Sequence, residues 1–155
     1  MRKLTEEEKS IVNNYIKLQA KQHDELTEIP RFFAFTSEQL EKQTKQYYEN
    51  NNDNTNVINC GAGVFFTEKN LKKYEETQKR HREEKEQYLK YDCVLYYIFY
   101  SAFCNYEYFY NEDDETIAQY CKFKNFEEIR TSTRMLEIYE EAKADYNEKC
   151  LELFY

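Results

Sequence analysis

Asp92-Cys93-Val94-Leu95-Tyr96-Tyr97-Ile98-Phe99-Tyr100-Ser101-Ala102-Phe103-Cys104 is the most densely apolar run of the chain. Val94, Tyr97, Ile98 and Ala102 recur at helical spacing, and Leu95, Phe99 and Phe103 fill an adjacent strip. A helix apolar over so wide an arc has to be covered on more than one side, so it marks the centre of the core. It is too short and too rich in hydroxyls to span a bilayer, which takes about 18–20 apolar residues.

Working outward, residues 88–120 hold nine tyrosines and three phenylalanines and run into Glu112-Asp113-Asp114-Glu115. Up to Phe103 the aromatics are core by their spacing. Beyond it, Asn105, Tyr106, Glu107, Tyr108 and Tyr110 alternate polar with aromatic residues and lead to Glu112, Asp113, Asp114 and Glu115. Aromatic rings supply contact area at low entropic cost and clustered carboxylates steer basic partners, so these nine residues form the candidate partner-binding patch. Asn111 or Asp113 caps a short helix through Cys121. A last helix over residues 133–154 carries Met135, Tyr139, Ala142, Tyr146, Cys150 and Leu153 as a 3.6-period stripe.

Toward the N-terminus, Thr5 and Glu8 form a capping box for a first helix whose stripe is Ile11, Tyr15, Leu18 and Gln22, and which ends before Pro30. Residues 31–35 read as a strand, and Thr36 with Gln39 opens a second helix to about Tyr48. Residues 49–56, mostly asparagine, read as a flexible loop. Residues 57–66 are strand on either side of Gly61-Ala62-Gly63, which hold both glycines of the chain; the glycines indicate a tight turn rather than a phosphate loop, because strand residues follow them directly. Thr67 caps a long charged helix over residues 67–90, held by i,i+4 charge pairs and expected to project in part. Lys79-Arg80-His81-Arg82-Glu83-Glu84 within it reads as a solvated face.

The expected fold is therefore a single α+β domain over residues 1–155, mainly helical, with four to six helices around a small two- or three-stranded antiparallel sheet. In this arrangement the sheet is covered by the helix over residues 92–104 and by the C-terminal helix.

The net charge of −8 is uneven: residues 1–90 hold 16 acids and 16 bases, residues 91–155 hold 14 and 6. An acidic half gains nothing from counterion release, which speaks against duplex nucleic acid as a direct ligand and for a basic protein surface as partner. Cys60, Cys93, Cys104, Cys121 and Cys150 are odd in number and widely spaced, and the N-terminus turns charged at once without a leader pattern. Free, mostly buried thiols in a reducing cytoplasm follow. With only His23 and His81, and neither at ligand spacing from a cysteine, no metal site is expected. Hydrolase, metalloprotease, Walker and dinucleotide fingerprints are missing, so no catalytic residue, no cofactor and no enzyme activity are expected.

Phe33-Ala34-Phe35-Thr36-Ser37-Glu38-Gln39-Leu40, Gly61-Ala62-Gly63-Val64-Phe65 and Asn105-Tyr106-Glu107-Tyr108-Phe109-Tyr110, in this order, resemble three blocks of a family of small uncharacterised proteins from phages and mobile elements of low-GC bacteria. The resemblance covers roughly residues 31–125. In that family the third block as a rule has a histidine between the asparagine and the glutamate. Tyr106 stands there in this chain, so any chemistry of that histidine does not carry over. The resemblance implies phage origin and no established activity.

The functional expectation is a non-enzymatic, anti-CRISPR-like phage or mobile-element protein. It would bind and inhibit a host defence factor with a basic nucleic-acid-binding surface, in the host cytoplasm and away from membranes. Two alternatives stand beside it. One is a nucleotide-binding sponge or small enzyme with an aromatic pocket of Tyr97, Tyr106 and Glu107; the other is a structural oligomer, a homodimer through the long charged helix.

Overall fold

The computed structural model describes residues 2–106 and 108–154, except the side chains of Phe109 and Phe154. Among them are eight helices: α1 (Glu6–Thr27), α2 (Ser37–Asn50), α3 (Glu68–Leu89), α4 (Asp92–Asn105), α5 (Tyr108–Asn111), α6 (Asp114–Tyr120), α7 (Phe126–Arg130) and α8 (Thr133–Phe154). The antiparallel sheet has three strands, β1 (Phe32–Phe33), β2 (Val57–Asn59) and β3 (Val64–Thr67), in the order β1-β3-β2. The expected class, mainly helical α+β, is what the chain adopts: six helices have seven residues or more, and α5 and α7 are single turns. The chain divides into two compact units, one made of residues up to Lys17 and from Lys85 on, the other running from Leu18 to Glu84.

In the first unit α4 is the core helix that its sequence demands. Cys93, Val94, Leu95, Tyr96, Phe99, Ala102 and Phe103 are all buried. Its broad apolar arc is shared by two clusters. Leu95, Phe99, Ala102 and Phe103 meet Ile138, Tyr139, Ala142 and Tyr146 of α8, with Ile117, Ala118 and Ile129 closing the cluster. Cys93 and Val94 face Val12 and Tyr15 of α1. The Phe103 ring lies 5.1 Å from that of Tyr139, 4.9 Å from Tyr108 and 5.8 Å from Tyr146. Each such side chain contributes roughly 1.5–3 kcal/mol by leaving water. The stripe predicted on α8 holds as far as Cys150, while Leu153 is 76% exposed. Arg134 fixes the start of α8: its guanidinium donates to the carbonyl oxygens of Leu89 and Lys90, which α3 leaves unpaired at its end, and to Asp92 Oδ1.

The second unit holds the sheet. β1 pairs with β3 through Phe32↔Phe65 and Phe33↔Val64, and β2 pairs with β3 through Ile58↔Phe66. Within their own units, α4 packs on α8 and β1 packs on α2. Phe32 and Ala34 point inward and are buried, whereas Phe33 and Phe35 point outward at 59% and 84% exposure, as the two-residue period of a strand requires. The outer backbone edge of β1 is roofed by two glutamines of α2. Gln43 Nε2 donates to Phe33 O at 2.8 Å, and Gln39 Oε1 accepts from the Phe35 amide at 2.9 Å. Thr36 caps α2 with its hydroxyl oxygen accepting from the Gln39 amide at 3.2 Å, as its sequence indicates.

Between β2 and β3 the chain turns through Gly61, Ala62 and Gly63, at φ of 86°, 51° and 76°. Gly63 also lies against β1, where an added Cβ would stand 2.8 Å from the Phe35 ring and 3.1 Å from Ala34 O. The loop after α2 is organised around one carboxylate. Asp53 is buried and accepts from the Thr67 hydroxyl at 2.6 Å, the Tyr47 hydroxyl at 3.1 Å, and both the amide and hydroxyl of Thr55. Burial acts against its charge, but these donors outweigh it and hold the carboxyl down at about 2. α2 itself runs two residues past the expected end at Tyr48.

Candidate functional site

The tyrosine-and-acid segment begins where α4 stops. Asn105 is the last residue of the helix and Tyr106 its C-cap, whose amide donates to Ala102 O at 3.1 Å. Both residues turn to Tyr120 of α6. Asn105 Nδ2 donates to the Tyr120 hydroxyl at 3.1 Å, and the Tyr106 and Tyr120 rings pack edge to face at 4.5 Å. Tyr106, Tyr110 and Tyr120 stay exposed at 41%, 68% and 40%. Glu107 lies outside the described residues.

Tyr108 does not share that surface. It is buried, and its hydroxyl donates to Asp114 Oδ1 at 2.7 Å. The same oxygen accepts from the Tyr139 hydroxyl at 2.6 Å and from Lys143 Nζ at 3.2 Å, so Asp114 is the hub of a four-residue network that ties α5 and α6 to α8. Burial disfavours its charge, but the donors Tyr139, Tyr108 and Lys143 more than compensate and keep the carboxyl below its ordinary range. Burial likewise pushes the Tyr139 phenol up, further helped by the neighbouring carboxylate, so the phenol holds its proton and serves as a donor. Of the nine predicted residues, Tyr108 thus moves from surface to interior, and Asp114 is half-buried.

Two of the remaining acids have structural duties as well. Asp113 is the N-cap of α6: Oδ1 accepts from the amides of Glu115 and Thr116 at 3.1 and 3.2 Å, and Oδ2 accepts from the Thr116 hydroxyl at 2.6 Å. Glu115 accepts from the Phe126 amide at 3.0 Å, which anchors the start of α7. Glu112 is exposed and sits at a φ of 46°, the left-handed residue that ends α5, its amide donating to Tyr108 O at 2.8 Å. A small pocket of about 100 Å³ opens here, lined by Tyr106, Tyr108, Asn111, Asp113, Thr116 and Ile117. It is well below the ~300–1,000 Å³ of a small-molecule site.

The site has members that sequence reasoning missed. Tyr120, Thr116 and Asn111 complete its rim, while Tyr139 and Lys143 complete its floor. Only the i,i+4 spacing of Tyr139 and Lys143 on one helix hinted at them. Of the alternative pocket of Tyr97, Tyr106 and Glu107, Glu107 lies outside the described residues, Tyr97 packs with Tyr15 at 6.4 Å in the α1 cluster, and Tyr106 packs with Tyr120.

A second polar cluster lies in the other unit. His81 is buried, with Nε2 2.6 Å from Glu25 Oε2, and Arg80 pairs with both Glu25 and Glu84. Gln22 Nε2 donates to His81 O and Glu84 Oε2. The hydrogen bonds from His81 and Arg80 hold the Glu25 carboxyl at about 2. Lys79, Arg80, Arg82 and Glu83 are exposed, as a solvated face requires, but His81 itself is corrected to buried, because α1 supplies polar partners that a search for apolar periodicity does not see. Among the described residues no group of three His, Cys, Asp or Glu side chains is placed to hold a metal, and no helix is long and apolar enough to cross a membrane. The five cysteines are unpaired: Cys93 is buried and Cys121 and Cys150 half-buried, as expected, but Cys60 and Cys104 are exposed.

No curated protein and no solved structure matches the chain. A family of unknown function, DUF7659, matches over residues 14–145, and the chain belongs to that family.

Proposed function

We propose that this chain is a protein-binding module that presents Tyr106, Tyr110 and Tyr120 together with Glu112, Asp113 and Glu115 to a basic protein surface. The observation that carries this reading is the coincidence of three exposed tyrosines with three exposed acids on one short stretch, in the part of the chain where acids outnumber bases 14 to 6. Exposed aromatic anchors give contact energy, and clustered charge gives attraction and orientation. The finer reading is a phage or mobile-element inhibitor of a host defence factor. A CRISPR effector is the partner whose basic nucleic-acid channel such a surface would occupy.

The test is target-DNA cleavage by purified effector complexes with increasing amounts of this protein, run with the wild type and with Y110A and E112K. Both substitutions lie on exposed positions. Inhibition by the wild type that either substitution weakens supports the proposal. Undiminished cleavage at a large excess of wild type, across effector classes, removes the inhibitor reading.

A further inference from the structure

Beside the tyrosine patch the fold already makes a cation site of its own. Lys143 Nζ lies 3.2 Å from Asp114 Oδ1 and stands over the Tyr108 ring, 5.0 Å from its centroid, so an ammonium is held between a carboxylate and an aromatic face. The pocket next to it offers the same ingredients without the cation. Its lining adds Tyr106, Asn111, Asp113, Thr116 and Ile117 to Tyr108, and among the described residues it includes no lysine, arginine or histidine.

Size and chemistry narrow the occupant. About 100 Å³ holds the head group of one side chain and not a nucleotide. The Asp113 carboxylate repels phosphate and attracts a cation, and its two oxygens, already accepting three hydrogen bonds, retain lone pairs for a further donor. A planar, weakly hydrated guanidinium suits a site that combines ring faces with oxygen acceptors better than a strongly hydrated ammonium does.

We propose that this pocket receives a single arginine side chain of a protein partner, stacked on Tyr106 and paired with Asp113. The inference rests on the protein-binding reading above and names what that surface grips. It also divides the labour at the site: Glu112 and Glu115 attract, whereas Tyr106 and Asp113 hold.

The experiment uses the full chain, isotopically labelled, with N-acetyl-arginine amide as the probe and the citrulline analogue as its uncharged isostere. Arginine amide should shift resonances of residues 106–117 in a saturable way, citrulline amide should not, and lysine amide should bind more weakly. D113N keeps the Oδ1 that caps the Glu115 and Thr116 amides, and its new amide can donate to the Thr116 hydroxyl, so it should nearly preserve the melting temperature while abolishing most of the shift. Y106L should do the same by removing the ring. Equal shifts from arginine and citrulline, or an unchanged response in D113N, overturn the proposal. If arginine amide fails to bind while the intact chain still captures a basic effector, only this inference falls. If the pocket binds arginine and no effector is inhibited, the pocket stands and the inhibitor reading falls.

Discussion

Asp114 shows how far a single residue can depart from the look of its neighbourhood. In the sequence it is one of four consecutive acids and belongs on a surface; in the fold it accepts from two phenols and an ammonium, the latter two partners 25 and 29 positions away. No local pattern carries that information, because what decides its partial burial and its partners is where α8 lies. D114N leaves Lys143 without its counter-charge and breaks part of the network, so it should lower stability at neutral pH by about 2–3 kcal/mol in urea unfolding. The pH dependence follows from the depressed carboxyl. Its stabilisation is fully present above the unfolded value of about 3.9 and is lost as pH falls through the lower folded value. D114N should therefore unfold with a shallower acid limb than the wild type. His81 was misread for the same reason: its partner Glu25 is 56 positions away.

At the scale of elements the chain is far more readable. The Thr5–Glu8 capping box, the Thr36 and Asp113 caps, the bounds of α8 and the strand–turn–strand around the glycines all follow from local chemistry, and all are present. The single turns α5 and α7 were not read, since four or five residues give no period to detect. The turn between β2 and β3 gives a direct comparison. Both G61A and G63A put a side chain at positive φ, but G63A also drives it against Ala34 O and the Phe35 ring, whereas G61A meets nothing within 4 Å. G63A should cost about 1–3 kcal/mol and G61A clearly less, with the difference in melting temperature as the measure.

At the scale of the whole molecule, neither the division into two compact units nor the pairing of α4 with α8 is visible in the sequence, because non-local packing leaves no mark on sequence spacing. One consequence lies in the roof that Gln39 and Gln43 place over β1. Phe32-Phe33-Ala34-Phe35 is an aromatic, uncharged segment on an edge strand, the kind of template on which chains add one to another into cross-β fibrils. The two amides occupy the groups that an incoming strand would need, so they act as a plug against templated growth. In Q39A/Q43A the thioflavin T signal should rise with a shorter lag than in the wild type; an unchanged lag would show that the aromatic edge is guarded elsewhere. Seen this way, two glutamines of α2 are expected to raise the concentration at which the protein stays dispersed.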